Sequence, residues 1–335
     1  MATLHKEYNG FNSDIKLNQS RIDSLNKSKN SVKKRIRGWF EKNKPDELQP
    51  KFGAQGSFMM GTSVNPIPTY DGDGNKLLKY DLDYGVYFIA KNDDDTKKKK
   101  NVATWHNWVF DSVDDHTNKD SIDKNTCVRV VFADGHHMDL PIYYKKDDLL
   151  QLAHKGKDWI DSDPKAFYVW FNDKKTAQLE RIVKYLKAWK NFREDNNSTL
   201  KLPSGFEFTI LATNNFADDD MDDKAFRETV RNIHTELSKP GGFKCLRPTK
   251  PKDEDVFLSY SDKRRNDFLT TLKSLLDDLD RARDEKNFKK SSEILIKHQF
   301  GDRFPLGDDK NEESKSSDLG RSLGAALVTP KPYGY

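Results

Sequence analysis

Cysteine is nearly absent: Cys127 and Cys245 are the only two in 335 residues. Two cysteines so far apart build neither a disulfide scaffold nor a Cys-rich zinc module, and they suit a reducing compartment. Long apolar runs are absent as well. The longest, residues 323–328, falls far short of the ~20 residues that cross a bilayer, so no membrane association is expected. The opening Met1-Ala-Thr-Leu-His-Lys-Glu-Tyr8 lacks the apolar centre of a secretory signal, which sets the expectation of a cytoplasmic protein. Neither sign of charge dominates. With 58 Lys and Arg against 54 Asp and Glu the formal net charge is +4, too balanced for a dedicated duplex-DNA binder. No Walker A sequence, G-x-G-x-x-G or nucleophile elbow occurs.

What the chain has is charge and aromatic area. Charged residues make up 33% of it, and 20 Phe, 12 Tyr and 6 Trp supply buried surface that the sparse aliphatics do not. This composition predicts a soluble globular protein, and its length predicts two lobes at roughly 150 residues per domain.

The pattern changes twice along the chain. Residues 11–44 place Phe11, Ile15, Ile22, Leu25, Val32, Ile36, Trp39 and Phe40 at helical spacings, which predicts a long amphipathic helix bent or broken once and stopped by Pro45. Its other face carries Lys27, Lys29, Lys33, Lys34, Arg35 and Arg37, either a solvated surface or a phosphate contact. Residues 50–144 read as strands and turns. Residues 79–88 alternate, with Leu82, Tyr84, Val86 and Phe88 on one face, so Asp81 and Asp83 share the other. Residues 126–132 and 138–144 read as two more strands joined at Asp134-Gly135. Residues 70–75 and 92–100 read as surface loops. After residue 158 the signals are helical: Asp163-Pro164 opens one helix, and residues 176–193 set Leu179, Ile182, Val183, Leu186 and Trp189 on a stripe opposite Lys184, Lys187 and Asn191. From Asp309 the chain reads as a flexible tail rich in Ser, Gly, Lys and Pro.

The densest chemistry is Gly56-Ser57, then Asp81-x-Asp83, then Asp139. Two carboxylates two apart on a strand project side by side, and a third from a neighbouring strand can complete a cage of hard oxygen ligands suited to Mg²⁺. Two such ions can activate an attacking hydroxyl and neutralise a leaving pyrophosphate. A Gly-Ser turn offers backbone N–H groups and a hydroxyl to nucleotide phosphates. Each piece alone is ordinary, since a lone D-x-D is usually a solvated face and a lone Gly-Ser usually a loop. In this order on these strands they read as a nucleotidyltransferase palm. Asp71-Gly-Asp-Gly-Asn75 fails as a calcium loop, because Lys76 and Leu82 stand at its sixth and twelfth positions. His136 and His137 read as exposed turn residues rather than ligands of a hard cation. The acids 218–223 read as charges favouring a helix start.

In family order, Gln55-Gly-Ser-Phe58, Tyr80-Asp-Leu-Asp-Tyr-Gly85, His137-Met-Asp-Leu-Pro-Ile-Tyr143, Trp159-Ile-Asp-Ser-Asp-Pro-Lys165 with Trp170-Phe-Asn-Asp173, Leu186-Lys-Ala-Trp189 and Phe300-Gly-Asp-Arg303 resemble the bacterial cGAS/DncV-like nucleotidyltransferases (CD-NTases), above all the DncV-type cyclic dinucleotide synthases. The resemblance implies an α+β fold: a Pol-β-like palm with a long N-terminal spine helix over residues 1–155, a helical lobe over 156–308, and a tail over 309–335. It implies Asp81, Asp83 and Asp139 as the catalytic, metal-binding triad for two Mg²⁺ ions, with Mn²⁺ as a substitute. Gly56, Ser57, Lys187, Ser204 and Arg129 are implied as nucleotide contacts. Met60, implied as a further nucleotide contact, stands where DncV-type enzymes carry a base-stacking tyrosine; its thioether can still pack against a base, but a DncV-like base preference does not carry over. The implied activity is template-independent joining of NTPs, ATP or GTP first and pyrimidine nucleotides next, into a cyclic di- or trinucleotide. The implied setting is antiphage (CBASS) signalling through an effector activated by the product, with a ubiquitin-like ligase acting on the C-terminus of some relatives. Sensing of duplex DNA through a zinc module is not implied. Two other readings stay open: a linear oligonucleotide or RNA-end nucleotidyltransferase, and a non-catalytic RNA-binding protein on a palm fold that uses the Lys27–Arg37 face.

Overall fold

A computed structural model describes residues 3–70, 72–74 and 76–312. Positions 71 and 75 of the 70–75 loop, the apolar run 323–328 and all of the expected tail beyond 312 lie outside the described residues.

Two helices begin the chain, α1 (His5–Ile15) and α2 (Gln19–Asn43). The helix expected to be bent or broken once is broken at residues 16–18, and its first half starts at His5, before residue 11. Lys16 is extended there, and the Asn18 side chain caps α2 by accepting from the Arg21 N–H. There follow β1 (Lys51–Gln55), α3 (Gly56–Met60), β2 (Thr69–Tyr70), β3 (Lys76–Leu77), β4 (Asp81–Ala90), α4 (Asp93–Lys97) and α5 (Val102–Val113). Next come β5 (Ile122–Asp123), β6 (Cys127–Val131), β7 (His137–Lys146), β8 (Leu149–His154) and β9 (Asp158–Asp161). The remainder is helical: α6 (Pro164–Lys174), α7 (Ala177–Asn196), α8 (Gly205–Asn215), α9 (Asp222–Ser238), α10 (Asp262–Asp284) and α11 (Phe288–Leu295).

Two segments differ from the sequence expectation. The 92–100 loop contains α4, because Asn92 caps it and Asp93, Asp94 and Asp95 put three acids in its first turn. β8 lengthens the sheet beyond the strands read up to residue 144, and β9 adds a further strand where helical signals were expected to begin after residue 158. β9 has too few residues to show a period, and its pairing with β8 decides its conformation.

The seven-stranded sheet runs β1-β4-β7-β6-β5, with β8 on β7 and β9 on β8. Only β4 and β7 are parallel. Its apolar face, carrying Leu82, Val86, Phe88, Met138, Leu140 and Ile142, packs on Leu25, Val32, Ile36 and Phe40 of α2 and on Trp105 and Val109 of α5. A second core gathers α6 to α11, and α1 joins it through Tyr8, Phe11 and Ile15. Consecutive helices α1 and α2 thus serve different cores, which explains the break between them. The face of the sheet opposite α2 is left for the site. Among the described residues no helix is long and apolar enough to cross a membrane.

Candidate active site

Strand register assembles the carboxylates. Asp81 and Asp83 alternate outward from β4, Asp83 lies opposite Asp139 on parallel β7, and Gln55 of β1 lies on its other side. The chain then turns at Gly56, whose φ is +66° and where an added Cβ would stand 2.1 Å from Asp83 Oδ2. A side chain at 56 would be strained and would displace Asp83, so only glycine allows this approach. Ser57 follows at the start of α3, and its hydroxyl lies 2.9 Å from that of Ser63.

The opposing wall is helical. Lys187 on α7 is buried and donates to the Thr62 carbonyl at 3.1 Å and to the Thr62 hydroxyl at 3.0 Å, so the polar stripe of α7 packs against the loop after α3 rather than facing water. Ser204 caps α8: its hydroxyl accepts from Glu207 N–H at 3.3 Å while the Glu207 carboxylate accepts the Ser204 N–H. Between the walls is a cavity of about 880 Å³. All nine residues singled out in the sequence line it: Gly56, Ser57, Met60, Asp81, Asp83, Arg129, Asp139, Lys187 and Ser204. Met60 is only 4% exposed and packs mainly into the helical core, which limits the surface it offers to a base.

Charge is unevenly balanced here. Burial, then repulsion from Asp81 and Asp139, push the Asp83 carboxyl up to about 8, beyond what Arg129 and Lys187 offset. Burial brings the Lys187 amine down to about 8 against the pull of Asp81 and Asp83. Asp139 differs. Burial raises it, but Arg129 donates Nε to Oδ1 at 2.6 Å and Nη2 to Oδ2 at 2.8 Å, and this fork with nearby Lys124 holds the carboxyl below its ordinary value.

The residues present fit a hard divalent cation. Three carboxyl groups face one cavity, and burial together with mutual repulsion disfavours the charged form of Asp83, a cost that a bound cation would relieve. The cage expected from the sequence is laid out in register but is not closed. Among the described residues no three His, Cys, Asp or Glu side chains gather as a ready-made metal site, and the third corner, Asp139, is engaged by Arg129.

The histidines beside the triad are not the exposed turn residues expected. His136 is 3% exposed, bonded to Ser28 of α2 at 3.0 Å and stacked on Phe132, so it ties α2 to the hairpin. His137 lines the cavity, its pKa lowered by burial and by Arg129. Sequence reasoning missed Thr62, Ser63, Lys190, Phe206 and Arg247, which also line the cavity. Of these only Lys190 carried a signal, lying one turn beyond Lys187 on α7. Arg247 sits over the Phe206 ring at 5.1 Å, a contact between segments far apart in the chain.

A carboxylate-bearing mixed sheet against a helical lobe, with a Gly-Ser turn between them, defines a Pol-β-like nucleotidyltransferase fold. Residues 50–143 match the family described as cyclic GMP-AMP synthase DncV-like, nucleotidyltransferase domain. The chain is 33% identical to a cyclic GMP-AMP synthase of Escherichia albertii, over 56% of this chain and 42% of that protein. It is 24% identical to the cyclic GMP-AMP synthase of Vibrio cholerae, over 44% of each. The matched stretches thus span less than half of these relatives' own length. Over the whole fold it superposes on Vibrio cholerae DncV, a cyclic AMP-GMP synthase solved with nonhydrolyzable GTP, with TM-score 0.75 and 19% identity over 90% of this chain and 97% of that one. DncV in complex with the linear intermediate 5' pppA(3',5')pG gives TM-score 0.74 at 18% identity, over 91% and 99%. Residues 50–143 thus match a DncV-like nucleotidyltransferase domain, and the chain as a whole shares the fold of DncV.

Proposed function

We propose that this chain joins nucleoside triphosphates without a template into a cyclic di- or trinucleotide and releases pyrophosphate. The observation that carries this reading is the single cavity whose one wall presents Asp81, Asp83 and Asp139 and whose other wall presents Ser57, Lys187 and Ser204. Carboxylates opposite phosphate-binding groups are what in-line nucleotidyl transfer requires. Relatives named as cyclic GMP-AMP synthases, and DncV structures holding GTP and a linear pppApG intermediate, support nucleotide substrates and a cyclic product.

In this reading the spine helix and palm occupy residues 1–155, the helical lobe 156–308 and a tail 309–335. The donor triphosphate lies against the Gly56 and Ser57 backbone, the Ser57 hydroxyl and the Lys187 ammonium, with Ser204 and Arg129 as further contacts. Asp139 helps activate the acceptor ribose hydroxyl. The hydroxyl oxygen bonds to the α-phosphorus, the bond from that phosphorus to the bridging oxygen of the β-phosphate breaks, and pyrophosphate leaves. A second attack of the same kind closes the ring. Asp81, Asp83 and Asp139 would hold Mg²⁺, which would supply charge neutralisation and lower the pKa of the attacking hydroxyl. ATP or GTP are the first candidates as substrates. A cytoplasmic antiphage (CBASS) role, acting through an effector that the product activates, completes the proposal, and conjugation of the C-terminus by a ubiquitin-like ligase is its outermost element.

The test is full-length protein with Mg²⁺ and radiolabelled NTPs, singly and mixed, followed by phosphatase and chromatography. Phosphatase-resistant product that Asp81→Ala abolishes is expected. Phosphatase-sensitive chains would assign a linear nucleotidyltransferase instead, and salt-sensitive RNA binding without turnover would assign the non-catalytic reading.

A further inference from the structure

Among the described residues Arg129 is the guanidinium that forks onto a triad carboxylate. It stands on β6 directly across from Asp139 on β7, so the cross-strand register, rather than a chance rotamer, brings the pair together. Both Asp139 oxygens are taken, at 2.6 and 2.8 Å, while among the described residues no fork is made to Asp81 or Asp83. The Arg129 side chain is nonetheless 24% exposed and lines the cavity, so it has somewhere else to go.

We infer that Arg129 is a latch on the third carboxylate: in the nucleotide-free protein its fork takes the place of a divalent cation at Asp139, and Asp139 becomes a ligand only when the fork moves off. This rests on the nucleotidyltransferase reading and adds an order of events to it. A phosphate presents the same bidentate acceptor geometry as a carboxylate, so the phosphate oxygens of an incoming nucleotide offer Arg129 an equivalent partner inside the same cavity. Moving there needs only rotation about the side-chain bonds, since Asp139 is held in register by both neighbouring strands. The consequence is coupling: cation binding at the complete triad is weak until nucleotide arrives, and the empty cavity avoids gathering three unscreened carboxylates. Arg129 acts through Asp139 and is in that respect a positioning residue.

The latch is read by cation affinity without nucleotide. Mn²⁺ is titrated calorimetrically into the nucleotide-free full chain as wild type, Arg129→Met and Arg129→Met/Asp139→Asn, with thermal melts to verify folding. Arg129→Met should bind Mn²⁺ about tenfold or more tightly than wild type, because a charge-assisted hydrogen-bonded competitor is gone, and adding Asp139→Asn should cancel the gain. Unchanged or weaker binding in folded Arg129→Met overturns the latch, as does a gain that survives Asp139→Asn. If Arg129→Met does not fold, Arg129→Lys, which keeps the charge but cannot fork, should shift affinity the same way by a smaller factor, and no shift there is equally decisive. Product formation by the wild type judges the enzymatic reading separately. Product without tighter Mn²⁺ binding in the variant removes only the latch.

Discussion

Asp222 and Asp83 are both drawn away from water, and they meet opposite treatment. In the helical lobe, Asp222 is fully buried, and burial alone would raise its carboxyl. Arg181 forks onto it at 2.6 and 2.7 Å, Gln178 donates at 3.0 Å and the Tyr185 hydroxyl at 2.8 Å, and together they hold it below its ordinary value. On the palm, Asp83 has two carboxylates as neighbours and is pushed up to about 8. The Asp222 cluster closes its own charge and ties α9 to α7, so it serves stability. The Asp83 cluster leaves charge to be closed by something that arrives, which is the signature of a site.

The sharpest way to break this contrast is to neutralise each carboxylate in turn. Asp83→Asn should lower product formation by about 10²–10³-fold or more, the cost of removing one group that meets charge in a transition state. It should also raise the melting temperature in EDTA, since a buried repulsion disappears. A variant that is less active and also less stable would mean that Asp83 is structural. Asp222→Asn should do the reverse. It should destabilise the fold by about 3 kcal/mol, the low end for breaking a buried pair because Arg181 still reaches solvent, and leave activity of the folded fraction near wild type. Denaturant titration and specific activity on the same preparation measure both.

Acid separates the two variants further. A carboxyl depressed in the folded state contributes stability that is fully present above its unfolded value of about 3.9 and is lost as pH falls through the folded value. The stability gap between wild type and Asp222→Asn should therefore be constant near neutrality and close as pH drops below about 4. A gap that persists in strong acid would mean that packing, not the Arg181 pairing, holds α9 in place.

The two walls of the site were unequally legible. The carboxylate wall follows from a period of two on one strand plus a matching strand, and both are visible in residues 79–88 and 138–144. Gly56-Ser57, an ordinary loop on its own, was legible only through its order ahead of the two aspartate strands. The opposing wall was readable only in pieces. The α7 periodicity marks Lys187 as polar, yet its burial comes from Thr62, which lies 125 residues earlier and carries no local signal. Asp222 read as one of a run of acids before a helix, and the Arg181 that claims it lies 41 residues away on another helix. The Arg129 fork was hidden for the same reason, since cross-strand pairing is set by register that the sequence does not print. Local period reveals which way a side chain points, and only the assembled fold reveals what it meets.

The smallest predicted effect belongs to a residue on both sides of the contrast. Ser204 caps α8 with the hydroxyl that also faces the cavity, so Ser204→Ala should cost about 1 kcal/mol of stability whatever its role in binding. Ser204→Asn separates the two roles. Asparagine caps as well as serine but replaces the hydroxyl with a larger amide. If Ser204 contacts phosphate, KM for NTP should rise several-fold in both variants while stability falls only in the alanine. If Ser204 is a cap and nothing more, the asparagine variant should match wild type in both measurements, and the alanine variant should lose stability with KM unmoved. The contrast between carboxylates asks which groups the fold leaves unsatisfied, and Ser204 asks whether a group the fold has already satisfied can still serve a substrate. One lone pair accepts the Glu207 N–H, and the hydroxyl proton is left to donate.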